Sequence, residues 1–183
     1  MGNERFRVLL EPVYAGALGF ARHVSRSRSD GDDLFQEALI RALAKLDSLR
    51  DDAAFKPWLY RIVITVHRNR SRTAFWRRFL QLGERETAAD SPHASGDYRV
   101  ADWSPDAAES SRRARLALAT LPAEQREAIV LFEIEGWQVD ELAALHGVSA
   151  SAIKSRLARG RARLRKYYEA RHQAEPTLTG EPS

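Results

Sequence analysis

The chain has 183 residues, 44% of them hydrophobic, and a formal net charge of +4, which fits one ordinary domain or two small ones and excludes a disordered or fibrous chain. With no cysteine it has neither disulfide staples nor thiolate metal sites, and its five scattered histidines stand in no metal-ligand spacing, so surface or partly packed positions are expected for them. No apolar run approaches the roughly 20 residues that span a bilayer and no secretory signal is legible, so a cytoplasmic protein without membrane insertion is expected.

The first helix is expected from about Pro12 to Ser25, with Val13, Ala17, Ala21 and Val24 on one stripe and Pro12 tolerated in the first turn. The second lies in "SDGDDLFQEALIRALAKL". Asp30 or Asp32 suits the positive end of its dipole, and Leu34, Phe35, Ala38, Leu39, Ala42 and Leu46 form its apolar face. The third begins near Ala53 and carries Phe55, Trp58, Leu59, Ile62, Val63 and Val66 at helical spacing. Pro57 falls in its first turn, where a missing amide hydrogen costs little. The end of this helix is cationic, with six Arg and no acid from Arg61 to Phe79. There "FWRRF" interleaves Phe75, Trp76 and Phe79 with arginines, a pattern suited to stacking on single-stranded bases or to ordinary packing of the helix end.

Helical periodicity stops from about residue 81 to 111. The stretch is rich in Gly, Pro, Ser and Asp, and between Glu84 and Glu109 acids outnumber bases seven to two. An acidic flexible linker is expected, with Trp103 as an apolar residue able to dock. Patterning resumes with Leu116, Leu118 and Leu121, and Pro122 then opens a helix carrying Ala128, Ile129, Leu131 and Phe132. Gly136 closes that helix, and Asp140 to His146 form a short one with Leu142, Ala143 and Leu145. The predicted fold is all-α: two small helical domains at 1–80 and 112–170, joined by the linker at 81–111 and followed by a disordered tail at 171–183.

The second domain contains a helix-turn-helix signal, a short helix followed by a glycine turn and another helix. Gly147 takes the positive φ that ends one helix, Val148 packs between the two, and Ser149 caps the next. Ile153, Leu157, Gly160 and Leu164 form the inward stripe of that last helix; Ser151, Lys154, Ser155, Ala158, Arg159 and Ala162 face outward. From Lys154 to Lys166 it holds seven basic residues and no acid. Slim residues at the start and long cations a turn later suit insertion into a major groove about 12 Å wide. Lys154, Ser155 and Arg159 are expected to face base edges, and Arg156, Arg161 and Arg163 to reach phosphates. The alternative is a solvated basic helix or an RNA-binding surface.

The two blocks "DLFQEALIRALAKLDSLRDDAAFKPWLYRIV" and "LPAEQREAIVLFEIEGWQVDELAALHGVSASAIKSRLARGRARLR", in this order and spacing, resemble bacterial sigma factors of the extracytoplasmic-function group. The resemblance implies a promoter-specificity subunit of RNA polymerase, with core polymerase (the β′ coiled coil and the β subunit) and promoter DNA as partners. An anti-sigma factor is a further implied partner, since members of this group are commonly held inactive by one. Asp33, Gln36, Glu37 and Arg41 would dock on polymerase. Ser48, Leu49, Arg50 and Asp51 would capture a flipped base of the −10 element, and Arg61, Thr65, Arg68, Arg70 and Arg72 would hold the opening duplex. Ser151, Lys154, Ser155, Arg156, Arg159, Arg161 and Arg163 would meet the −35 element. The chain departs from the family at Thr65, where Asn is common, and at Gln138, where Ser usually caps. No catalytic group, metal or cofactor is called for.

Two other readings stand beside this one. A free-standing helix-turn-helix regulator explains residues 112–168 but leaves "DLFQEALIRA" and "FKPWLYRI" without a task. A nuclease holding magnesium on Asp30, Asp32, Asp33 and Glu37 lacks an accompanying nucleophile, and carboxylates at a helix start are more simply explained by the dipole.

Overall fold

The structure, a computed structural model, describes residues 2–81 and 105–174, with side chains over 3–73 and 109–173. Ala17, Phe20, Ala21 and Val24 recur at spacings of three and four, and all are fully buried on α2 (Tyr14–Val24). This is the expected first helix, starting two residues later than Pro12. An additional α1 (Gly2–Leu10) precedes a 3-10 turn at Glu11–Val13 that contains Pro12. Among the described side chains of α1 only Phe6 is buried, stacked edge-on against Phe55 at 5.8 Å, so its apolar stripe is too narrow to read from sequence.

Ser27 caps α3 (Arg28–Ala44) by accepting a hydrogen bond from the Asp30 amide. Leu34, Phe35, Ala38 and Ala42 are buried as the spacing predicts, and Leu39 is half-buried. Gly31 lets α2 and α3 cross closely, because a Cβ there would lie 2.5 Å from the Arg22 Cα. α4 (Phe55–Gln81) follows the 3-10 turns Leu46–Ser48 and Asp52–Ala54. It buries Phe55, Leu59, Val63 and Val66 with Tyr60, Ile64 and His67. The side chains of Phe75, Trp76 and Phe79 lie outside the described residues.

The second helical set is α5 (Pro105–Ala119), α6 (Ala123–Ile129), α7 (Val139–His146) and α8 (Ala150–Ala174). α5 starts earlier than the expected domain boundary at 112, from a proline suited to a first turn. The remaining expected linker, 82–104 with Trp103, and the tail beyond 174 lie outside the described residues. Leu118 and Leu121 are buried, while Leu116 stays exposed. After α6 the helix widens into a π segment, Val130–Ile134, and Gly136 at φ +72° turns the chain into α7. This detour carries Glu135 and Trp137 toward α2 and α4.

The two sets pack on each other through one continuous buried cluster that extends from Phe6 to Leu157. At the seam Trp137 stacks on Tyr60 at 5.0 Å, and Lys56 lies 4.9 Å over the Trp137 ring.

Candidate nucleic-acid interface

α7, the turn and α8 form the helix-turn-helix. Gly147 adopts φ +65°, the Val148 amide donates to the Ala143 carbonyl at 3.0 Å, and Ser149 Oγ caps α8 by accepting from the Ala152 amide. At the start of α7, the Glu141 carboxylate accepts from the Gln138 amide at 2.7 Å, which offsets the poor cap expected there. Ile153 and Leu157 are buried, and Gly160 sits so close to α6 that a Cβ would meet Ile129 Cγ1 at 2.8 Å.

The opposite face of α8 presents Ser151, Lys154, Ala158, Arg159 and Ala162 to solvent, with Ser155 half-buried beneath Arg159. Arg159 folds over Ser155, donating to its Oγ at 2.7 Å. The three expected phosphate cations fare differently. Arg163 is exposed. Arg161 pairs with Glu133 at 2.6 Å, and Arg156 packs against Glu124 at 3.0 Å with its side chain 16% exposed. The carboxylates belong to the neighbouring α6 and π segment, so helical spacing within α8 could not reveal them.

Asp33, Gln36 and Arg41 are exposed along α3 beside two uncovered apolar residues, Ile40 at 66% and Leu43 at 42% exposure. Glu37 bridges Arg41 and Arg70. The four acids of the nuclease reading are divided: Asp32 takes Arg22 at 2.6 Å, while Glu37 takes the two arginines. Among the described residues no three metal-ligating side chains converge.

The loop after α3 is tied down at several points. Arg5 of α1 donates to the Leu49 carbonyl at 3.1 Å and to Asp52 at 2.6 Å. Leu49 itself is buried, Asp51 accepts from the Ala53 amide, and Ser48 Oγ donates to the Lys45 carbonyl. Ser48 and Arg50 are exposed at its surface. On α4, Arg61, Thr65, Arg68 and Arg72 fall on one stripe; Arg70 turns aside to Glu37 and the Asp33 carbonyl. Thr65 Oγ1 donates to the Arg61 carbonyl, and Arg72 to Asn69.

Two of these cations meet the second helical set. Arg61 donates to the Ala144 carbonyl at 2.9 Å. Arg68 donates to Glu127 at 2.7 and 3.1 Å and to His146 Nδ1 at 2.8 Å, while His67 Nδ1 lies 2.9 Å from the same Glu127 carboxylate. Burial pushes the fully buried Glu127 carboxyl up, but hydrogen bonds from His67 and Arg68 outweigh it and hold its pKa below the usual range. Burial likewise opposes the Arg68 charge, yet Glu127 leaves its pKa raised. Burial lowers His146 to about 4, Glu127 opposing and Arg68 and Arg156 adding to the shift. Tyr60 donates to Glu135 at 2.9 Å, and burial with that carboxylate raises the phenol pKa. Arg5, Tyr60, Glu127, Glu135 and His146 escaped the sequence reading. For Glu127 a signal existed: a carboxylate on the apolar stripe of α6, beside Ala128 and Ile129.

The geometry defines an all-helical protein that pairs an exposed helix-turn-helix with a second helical unit rich in cations, whose α3 exposes a mixed polar-apolar face. Residues 9–77 match sigma-70 region 2, and residues 111–164 match sigma-70 region 4. The chain is similar to the ECF RNA polymerase sigma factor SigM of Mycobacterium tuberculosis, at 35% identity over 144 residues, 79% of this chain and 67% of that one. Among solved structures it resembles the sigma factor RpoE in complex with the anti-sigma factor NepR from Bartonella quintana (TM-score 0.61, 29% identity, 90% of this chain and 96% of that one). It also resembles CnrH in complex with the cytosolic domain of CnrY (TM-score 0.63, 25% identity, 90% and 88%). The chain belongs to the sigma-70 family, in its extracytoplasmic-function group. It is an RNA polymerase sigma factor that directs promoter-specific transcription. Among the described residues no helix is long and apolar enough to cross a membrane.

Proposed function

We propose that the two helical units divide the work of promoter selection. Residues 1–80 grip core polymerase through Asp33, Gln36, Glu37 and Arg41, with Ile40 and Leu43 supplying apolar contact on the same face of α3. The loop Ser48–Asp51 receives a base flipped from the −10 strand, and the cations of α4 hold the backbone of the opening duplex. Extruding a base costs a few kcal/mol of stacking and pairing, which binding in the loop offsets. Residues 112–170 place α8 in the major groove of the −35 element, where Lys154, Ser155 and Arg159 meet base edges. Residues 81–111 tether the two, so the second contact forms at high effective concentration. The chain itself performs no catalysis, because polymerase supplies the chemistry, and it acts in the cytoplasm. An anti-sigma factor is a fitting partner, since the similar RpoE and CnrH form complexes with NepR and CnrY.

The observation that carries this reading is the outward face of α8, slim at Ser151 and cationic at Lys154 and Arg159, left uncovered by the other described residues. Run-off transcription with purified core polymerase tests it. Arg159→Glu is expected to abolish −35-dependent transcripts while core-enzyme binding persists. Wild-type chain that binds duplex DNA but not core polymerase would instead favour a free-standing regulator.

A further inference from the structure

The loop assigned to the flipped base runs between two 3-10 turns, Leu46–Ser48 and Asp52–Ala54, and belongs to no helix itself. Its backbone is extended at Leu49 (φ −80°, ψ 108°) and at Asp51 (φ −128°, ψ 118°). Local contacts fix the two ends: the Leu49 amide donates to the Leu46 carbonyl at 3.0 Å, and the Ala54 amide to the Asp51 carbonyl at 3.1 Å. Between those ends the loop is tied to a residue 44 positions before Leu49. Arg5 of α1 donates through Nη2 to the Leu49 carbonyl at 3.1 Å, and through Nε and Nη2 to Asp52 Oδ1 at 3.1 and 2.6 Å. One planar guanidinium thus joins positions 49 and 52 and leaves Arg50 and Asp51, which they enclose, exposed. Resting on the assignment of Ser48–Asp51 to the −10 strand, we propose that Arg5 is a positioning residue for base selection. It contacts no base itself and sets the shape of the loop that does.

Arg5 is aimed by its neighbour. Phe6 is buried and packs edge-on against Phe55, the first residue of α4, at 5.8 Å. That contact docks α1 beside the exit of the loop and brings the preceding side chain within reach of it. What Arg5 then makes is better suited to orientation than to stability. The Arg5 and Asp52 side chains are 39% and 55% exposed, so water and salt screen the pair, and surface pairs of this kind add little to folding. The Leu49 carbonyl is different, because Leu49 itself is buried. With the side chain fixed by packing and the carbonyl held by Arg5, the peptide leading into Arg50 has a set direction. A flipped base is read by hydrogen bonds to its edge, and a binding site loosened by about 1 Å for want of a supporting contact loses such bonds.

Run-off transcription by the full chain with core polymerase, on templates varied base by base across the −10 element, tests this. Arg5→Ala is expected to flatten base preference at one −10 position by about fivefold, the worth of one net hydrogen bond. Preference at the other −10 positions and at the −35 element, and affinity for core polymerase, are expected to stay as in the wild type. The thermal midpoint is expected to fall by no more than about 4 °C. Asp52→Ala is expected to flatten the same position, and the double variant to flatten it no further than either single one, because Arg5 and Asp52 act as one tether. Unchanged preference in Arg5→Ala, an equal loss at every −10 position, a larger fall in midpoint, or additive losses in the double variant would each overturn the positioning role. A wild type with no base preference at any −10 position would instead overturn the assignment of the loop to that strand.

Discussion

Gly31 controls how near α2 and α3 approach. A methyl there would stand 2.5 Å from the Arg22 Cα and 2.9 Å from its backbone nitrogen, atoms that cannot swing aside as a flexible side chain would. Gly31→Ala therefore forces the two helices apart, and overpacking of this kind costs about 1–3 kcal/mol; a matching fall in thermal midpoint checks it. On α8 the residue scale divides differently. Arg159, on the face directed at base edges, is expected to lose about 1–3 kcal/mol of discrimination when changed to Ala, relaxing sequence preference at one position. Arg163→Ala is expected to weaken all duplexes alike. Competition binding with single-base variants of the −35 element distinguishes the two, and a uniform loss for Arg159 would move it to the phosphate set.

At the scale of elements, the contact between α4 and α7 carries its own pH dependence. Burial holds His146 near 4, below the roughly 6.5 of a solvated imidazole. An opened or unfolded chain thus binds the extra proton between those values. The stability His146 lends to the packed form is complete above about 6.5 and is lost as pH falls toward 4. The neighbours facing it set the outcome: protonation removes the acceptor for Arg68 and adds repulsion from Arg68 and Arg156, against attraction from Glu127 and Glu124. Glu127 itself, with its pKa lowered, keeps its contribution above the usual carboxylate range and loses it only at more acid pH. Scattering measured from pH 8 to 5 is expected to report loosening of the seam, absent in His146→Gln; a pH-independent wild type would contradict it. α8 was legible in the sequence because the cap at Ser149 leads into a periodic apolar stripe, whereas α3 was legible by its stripe alone, its cap lying at Ser27, ahead of Asp30 and Asp32 where the start was sought. The seam was not, since its chemistry joins residues far apart: Glu127 lies 60 positions from His67 and 59 from Arg68. Nor could periodicity show the π segment, whose extra residue breaks the repeat that periodicity depends on.

For the whole molecule, the exposed cations of α8 and the buried ion pair at the seam respond differently to salt. Each phosphate neutralised on B-DNA contributes about −0.9 to the slope of log affinity against log salt. If all seven basic residues from Lys154 to Lys166 met phosphate, the slope would approach about −6. Arg156 and Arg161, however, are held by Glu124 and Glu133. The remaining five limit the slope to about −4.5. Free chain titrated with −35 duplex between about 0.05 and 0.2 M salt, over which the Debye length falls by about half, is expected to fall within that bound. A steeper value would mean that α8 exchanges its own carboxylates for phosphates on binding. The seam responds otherwise, because Glu127 is fully buried and its pairing with Arg68 is shielded from mobile ions. Salt that strips the chain from −35 duplex should therefore leave Arg68 paired with Glu127, and the packing of α6 and α7 on α4, followed by small-angle scattering, should persist across the whole titration. A scattering profile that expands as salt rises would show that the seam is held by screened surface charge after all.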